Sequence, residues 1–340
     1  MKTLWQRALE IIPGGNCIVS KRPNRYCPGQ YPSHDIYCHG DKVVDAETNK
    51  EYTDMSTMGV GACILGYGYP EVDSAAVQAI AQGSMGACNP IEELELAEVI
   101  LKLNPKMQKI KFAKGGGEAC AVAARIAKMA NKGRGRAPGE MYLQHGYSGF
   151  FLGNPERSYS LGFNGEEKLE LLDGVMDEIS FIIMEPVRNY PDESIKLMKY
   201  VQKFAKEYNV PFIIDEITAG FRCGLSGYHI LKGIRPDIAV YGKSIANGYP
   251  LSCIVGTDEI MGASEDTFLS STMWSDRIGY AAGLATMDVM KKKKVPDYLI
   301  KTGKYIQDGW KDIADTTGVD IEVTGIPPLA HFEFKTEHDK

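Results

Sequence analysis

Two residues set the chemistry this chain is equipped to perform. Phe212-Ile213-Ile214 is an apolar run that delivers Asp215 and Glu216, and Lys243 follows Asp215 by 28 residues in the small-residue turn Gly242-Lys243-Ser244. A carboxylate directly after such a run lies at the carboxyl end of its strand, where open α/β sheets place ligands. Seen alone it would serve equally as a turn or helix-cap carboxylate. A loop lysine is usually a solvated charge, but Gly242 and Ser244 leave room around Lys243 and its flanking segments are apolar. Burial and a cationic neighbourhood lower a lysine's pKa and free the amine for imine formation and proton transfer. An imine-forming lysine, with a carboxylate that keeps a pyridine nitrogen protonated, is the pair that pyridoxal 5′-phosphate (PLP) chemistry requires; the ring then acts as an electron sink. On this reading Lys243 holds the cofactor aldehyde and later carries a proton between the substrate Cα and the cofactor C4′, while Asp215 pairs with the pyridine nitrogen.

Other residues fall into place around that pair. Ile217 would pack on one face of the ring. Gly115-Gly116-Gly117-Glu118 reads as a strand-to-helix loop whose backbone N–H groups and helix N-terminus cradle the cofactor phosphate. A plain tight turn is the competing explanation, and the spacing is not that of a dinucleotide-binding loop. His145 either fills a core or lies over the ring, and Tyr147 offers an aromatic face for stacking. Glu185 ends another apolar run, either as a cap or at the cofactor edge. Ser270-Ser271-Thr272 is a hydroxyl loop for phosphate or a polar turn. Arg222 is expected in a structural ion pair rather than on substrate.

The elements that must position these residues alternate in type. A short amphipathic helix ends at Pro13-Gly14-Gly15, and residues 35–52 read as a small antiparallel meander. Strands then alternate with helices: Lys109–Ala113, a helix over 118–129, and strands at 140–144, 180–184, 210–214, Ile238–Tyr241 and 251–255. The run at 180–184 is apolar throughout, as for a strand buried on both faces. Leu197, Met198, Val201, Phe204 and Ala205 recur at helical spacing. Helices at 279–290 and around Leu299, Ile306, Trp310 and Ile313 precede two strand-like segments, 320–323 and 329–334. This order predicts an α/β fold: a mostly parallel sheet with helices on both faces.

Bulk properties narrow the function classes. The chain has 340 residues, 44% hydrophobic and 24% charged, with a net charge of −6, which argues against a nucleic-acid or anionic-membrane partner. Lys291 to Lys294 read as a solvated helix end. No apolar run reaches the roughly 20 residues of a membrane span, and Met1–Ala8 lacks the apolar core of a secretion signal. The eight cysteines are scattered without metal-ligand spacing, which suggests reduced thiols, a cytoplasmic location and no metal.

Taken together, these residues resemble the class III aminotransferases of PLP fold type I, in the branch of glutamate-1-semialdehyde 2,1-aminomutase and related aminotransferases of surface-polysaccharide pathways. The Asp215-Glu216-Ile217, Gly220-Phe221-Arg222 and Lys243 series carries the likeness. Ile12-Pro13-Gly14-Gly15, Ile64-Leu65-Gly66-Tyr67-Gly68-Tyr69-Pro70, Met184-Glu185-Pro186-Val187 and Gly283-Leu284-Ala285-Thr286 follow the same family in the same order. Ser20-Lys21-Arg22-Pro23 and Ser270-Ser271-Thr272-Met273-Trp274 are more similar to the polysaccharide-pathway relatives. The resemblance implies a large PLP-binding domain over 56–290 and a smaller α+β domain built from 1–55 and 291–340. It implies Lys243 and Asp215 in the roles above, Gly116 and Gly117 on the phosphate, and Thr272 reaching a phosphate across the interface of a homodimer with composite active sites.

Departures accompany the likeness. Lys114-Gly115-Gly116-Gly117 replaces an asparagine-serine-glycine-threonine loop, so the phosphate would rest on amides and Thr272. Gln144 stands where an aromatic precedes histidine-glycine. Lys21 stands near the mutase's substrate arginine and lacks its bidentate fork. Relatives run further than 340, so the C-terminal small domain is expected to be incomplete. Three functions follow: amino transfer from an amino acid to a carbonyl substrate, intramolecular 2,1-amino transfer, or a shortened PLP fold without activity.

Overall fold

The fold is described by a computed structural model that covers residues 2–27, 29–55, 58–132, 139–143, 158–161, 179–187, 189–265 and 267–335. Its centre is a seven-stranded sheet in the order β4-β10-β9-β8-β7-β5-β6. These strands are β4 (Lys109–Ala113), β5 (Gly139–Leu143), β6 (Ser158–Leu161), β7 (Ile179–Met184), β8 (Phe212–Asp215), β9 (Ile238–Tyr241) and β10 (Ser252–Gly256). β6, β5, β7, β8 and β9 pair in parallel, and β10 runs antiparallel between β9 and β4. β4, β7, β8 and β9 therefore end at one edge, where β10 begins. The mostly parallel α/β sheet expected from the alternating pattern is present. β6 and the reversed direction of β10 were not anticipated.

Period-two burial explains how the sheet is filled. β7, β8 and β9 are buried along their whole length. Ile182, Met184, Phe212 and Ile214 face α5 (Pro191–Glu207) and pack on Leu197, Met198, Val201 and Phe204. Phe181, Ile183, Ile213 and Val240 face the other way, onto α4 (Gly116–Lys132) through Ala119, Cys120, Ala123 and Ile126. Alanines at that helix face allow a close approach to the strands. A third cluster gathers Leu96 and Ile100 of α3 (Ile91–Leu103) and Val72 of α2 (Pro70–Ala81). It also holds Phe112, Tyr241 and Cys253 of the sheet and Tyr280 of α6 (Arg277–Lys292). Burial of an aliphatic side chain stabilises by about 1.5–3 kcal/mol, so these clusters supply the principal driving force.

The smaller elements flank this sheet. α1 (Leu4–Ile11) starts at a capping box between Thr3 and Gln6. Beyond it, Gly15 sits at φ +80° with Trp5 so near that a Cβ would lie 2.5 Å from its ring. β1 (Asp35–His39), β2 (Lys42–Asp45) and β3 (Glu51–Thr53) form the expected antiparallel meander. α7 (Val295–Thr317) leads to an antiparallel pair, β11 (Ile321–Thr324) and β12 (His331–Phe334). Gly303 on α7 meets the backbone of Pro327 so closely that no side chain fits there.

Candidate active site

The sheet edge brings Asp215, Lys243 and the glycine loop together because β8, β9 and β4 all end there. Asp215 is the last residue of β8 and is 2% exposed. Its Oδ1 accepts from the backbone N–H of Ile217 at 2.9 Å, and its Oδ2 accepts from the Cys120 thiol of α4 at 3.4 Å. Both oxygens are thus oriented before any ligand arrives. Burial, reinforced by the Asp215 charge, pushes the Cys120 thiol well above its usual range, so it remains a protonated donor.

Lys243 opens the turn after β9 in a left-handed conformation, φ +41°. That conformation is costly for a side-chain-bearing residue and is sustained only by its surroundings. Ser244 supplies part of that support, donating from Oγ to the Gly220 carbonyl at 3.0 Å. Lys243 Nζ donates to Thr218 Oγ1 at 2.8 Å, which aims the amine at the segment that also carries Asp215 and Ile217.

Ile217 is buried and joins the three parts. A Cβ on Gly116 would lie 2.8 Å from its Cδ1, and one on Gly242 would lie 3.5 Å from its side chain. The loop itself is braced by Glu118, whose Oε2 accepts the amides of Lys114 and Gly115 and whose Oε1 accepts from Trp274 Nε1. The Gly115 amide therefore already has an acceptor in Glu118. The amides of Gly116, Gly117 and Glu118, the first three of α4, take no acceptor among the described residues. Ser252 of β10 fixes the loop from below, donating to the Gly115 carbonyl at 3.1 Å. Lys114 Nζ turns away to Asp276 at 3.0 Å.

Arg222 departs from expectation. No carboxylate faces it among the described residues; it donates to the carbonyls of Thr218 and Gly61. Burial lowers its pKa to about 10. The carboxylate in this region, Glu216, is engaged elsewhere: its Oε1 takes the His229 ring and amide at 2.7 and 2.8 Å, both residues being buried. Glu185 lies at the carboxyl end of β7, buried, and its charge reaches Cys120. Thr272 is exposed in the turn Thr272–Ser275, and Trp274 ties that turn to Glu118. His145 and Tyr147 lie outside the described residues. Cys120, Thr218 and Glu118 carried no signal in the linear sequence, because each acquires its role from a partner on another element or loop.

Residues 157–340 match the family model of the class-III aminotransferases. The chain belongs to that family. It is 28% identical, over 98% of its length, to the 3-aminobutyryl-CoA aminotransferase of Cloacimonas acidaminovorans, covering 83% of that protein. It is 31% identical to the glutamate-1-semialdehyde 2,1-aminomutase of Methylacidiphilum infernorum, over 91% of this chain and 77% of that protein. The FumI protein of Sphingopyxis sp. MTA144, solved in its PLP internal aldimine form, superposes with a TM-score of 0.86 at 22% identity, covering 97% of this chain and 82% of that one. That likeness establishes the fold as PLP fold type I.

The cofactor of this class-III aminotransferase is pyridoxal 5′-phosphate, and the donor set suits it. Three helix amides with no acceptor among the described residues match a phosphate, an oriented buried carboxylate matches a pyridinium, and a lysine amine that follows both in sequence is steered by Thr218. Among the described residues no group of side chains could hold a metal, and no helix is long and apolar enough to cross a membrane.

Proposed function

We propose that this aminotransferase moves an amino group from an amino acid to a carbonyl substrate in surface-sugar or polysaccharide biosynthesis. The convergence of Asp215, Lys243 and the Gly116 loop on Ile217 carries the reading. When bound, PLP supplies the carbonyl and the electron sink that amino transfer needs. Asp215 would keep the proton on the pyridine nitrogen, with its oxygens held by Ile217 N–H and Cys120. Lys243 Nζ would anchor the cofactor and then take the substrate Cα proton and return it, guided by the Thr218 hydroxyl. Gly116, Gly117 and the start of α4 would hold the phosphate, and Ile217 would support one ring face, with Glu185 beyond Asp215. His145 and Tyr147 are proposed for the opposite face. The Ser20–Pro23 and Ser270–Trp274 segments, similar to polysaccharide-pathway relatives, support the sugar assignment.

A homodimer completes the proposal. Val77 and Ile80 of α2, Ile91 and Leu94 of α3, both helices packed on α6, and Met273 in the turn before α6 are exposed apolar side chains. A surface of that kind suits a partner subunit whose phosphate Thr272 would reach. The second reading, intramolecular 2,1-amino transfer, is favoured by the aminomutase relative.

Borohydride treatment of the PLP-loaded protein, read by intact mass, tests the anchor. Wild type should retain one cofactor per chain covalently, and Lys243→Ala none. Retention in Lys243→Ala would remove Lys243 from its role. An amino acid alone should bleach the cofactor of a transferase; a requirement for a diamino or semialdehyde substrate would favour the mutase.

A further inference from the structure

Four successive residues beside the lysine hold a backbone conformation that residues with side chains avoid. Met58, Gly59, Val60 and Gly61 lie at φ +41°, +64°, +60° and +74°, a left-handed turn. Glycine adopts it freely, but for the β-branched Val60 it is an outlier that only surrounding bonds sustain. Those bonds grip both ends. At the entry, Asp54 accepts the Met58 amide at 2.9 Å and the Tyr67 hydroxyl accepts the Gly59 amide at 2.8 Å. The same hydroxyl donates to Asp54 at 2.5 Å, which locks the two acceptors together. At the exit, the Gly61 carbonyl accepts from Arg222 Nη2 at 2.5 Å.

The exit end stands against the catalytic lysine. A Cβ on Gly61 would lie 3.0 Å from Arg222 Nη2 and 3.9 Å from Lys243 Cδ. Arg222 also reaches the lysine by a second route. Its Nε donates to the Thr218 carbonyl at 2.5 Å, and the Thr218 hydroxyl accepts from Lys243 Nζ at 2.8 Å. One guanidinium therefore joins the wall beside the lysine stem to the residue that holds its amine. Arg222 is 6% exposed and meets no carboxylate among the described residues. Burying a charge without a counter-charge is costly. Two carbonyls on separate segments do, however, suit the rigid planar fork of arginine, which the compact ammonium of a lysine cannot reproduce.

A lysine that captures an aldehyde and then carries a proton must be placed closely, yet its long stem has many rotamers to lose. Misplacing a reacting group by about 1 Å costs up to about a hundredfold in rate. We propose that the turn 58–61 is a preset wall for the Lys243 side chain, with Tyr67 and Arg222 as the positioning residues that hold its two ends. Tyr67 acts through the Gly59 amide, and Arg222 acts through the Gly61 and Thr218 carbonyls. The inference rests on Lys243 as the cofactor anchor and adds the residues that aim it.

Two measurements on the apo-protein separate aiming from binding. Stopped-flow absorbance at saturating PLP gives the limiting rate of covalent capture, the step that joins Lys243 Nζ to the aldehyde carbon and releases water. Equilibrium dialysis gives the affinity for pyridoxamine 5′-phosphate, which has no aldehyde and needs no lysine. Arg222→Met and Tyr67→Phe should each slow capture about tenfold while the pyridoxamine 5′-phosphate affinity stays within about twofold. Because both act on one turn, the double variant should be slowed by less than the product of the two effects. Arg222→Lys should remain slow; recovery of the wild-type rate would show that charge rather than the bridge matters and would overturn the proposal. Unchanged capture in both single variants would overturn it, and so would an equal loss of capture and affinity, the mark of general disruption. Should Arg222→Met fail to fold, Tyr67→Phe decides by the same two readings. A wild type that captures no PLP would overturn the Lys243 assignment and this inference with it.

Discussion

Asp215 is an acceptor whose two oxygens are already occupied by donors of different strength. The Ile217 amide is part of the backbone and cannot be lost; the Cys120 thiol can. A hydrogen bond to a charged acceptor contributes about 1.5–3 kcal/mol, and a thiol, a weaker donor, about 1 kcal/mol. Cys120→Ala should therefore weaken PLP binding roughly fivefold, measured by absorbance titration of the apo-protein, and Cys120→Ser should restore it. Equal affinities in wild type and Cys120→Ala would show that the thiol only fills space. The aspartate, the lysine and the interval between them are visible in the sequence. The thiol that steadies the aspartate is not, because Cys120 reaches it only through the packing of α4 on β8.

The glycine loop meets the segment after β8 where Gly116 faces Ile217, and element packing decides how much change that contact tolerates. A methyl group on Gly116 would press on Ile217 at 2.8 Å. Overpacking of this kind costs about 1–3 kcal/mol. Gly116→Ala is expected to lower the urea midpoint of the apo-protein and weaken PLP binding. Ile217→Val in the same chain should recover part of both losses, a coupling that a double-mutant cycle measures. Additive effects would mean that the loop and the strand do not bear on each other. Gly115→Ala, where no atom of the described residues lies within 4 Å of the added Cβ, is the internal control and should leave the urea midpoint near that of wild type.

Across the whole molecule, several thiols and phenols share one direction of titration. Burial pushes Cys38 and Cys223 up to about 11, and Tyr228 and Tyr249 up to about 12. Each is neutral when protonated, so the folded state holds protons that the unfolded chain has released. Stability is then constant below the unfolded values near 9 and 10 and falls as pH rises through about 9–12. Arg222 acts oppositely, since its folded value is depressed. The urea midpoint should decline from pH 9 upward, with a shallower decline from 9 to 11 in Cys38→Ser; an unchanged slope would show that Cys38 is not part of the effect. At the same scale, Leu94→Asp on the exposed apolar face should convert the proposed dimer into monomers by sedimentation and weaken PLP binding, since in that proposal Thr272 would then have no partner site to reach; a wild type already monomeric, or an unchanged dimer in the variant, would overturn that interface.

The sequence by itself determined the alternation of strands and helices, the strand that ends in Asp215, the lysine after β9 and the glycine loop after β4. Hydrophobic periodicity and turn chemistry act over a few residues, so they are written locally. Tertiary structure alone decided that β10 runs backward between β9 and β4, which places Ser252 under the Gly115 carbonyl. It also decided that Glu118 claims the Gly115 amide, that Arg222 clamps carbonyls instead of a carboxylate, and that Glu216 holds His229. Each of these depends on which group lies opposite a side chain once the sheet closes. A donor's identity is local, but the choice of its acceptor belongs to the fold.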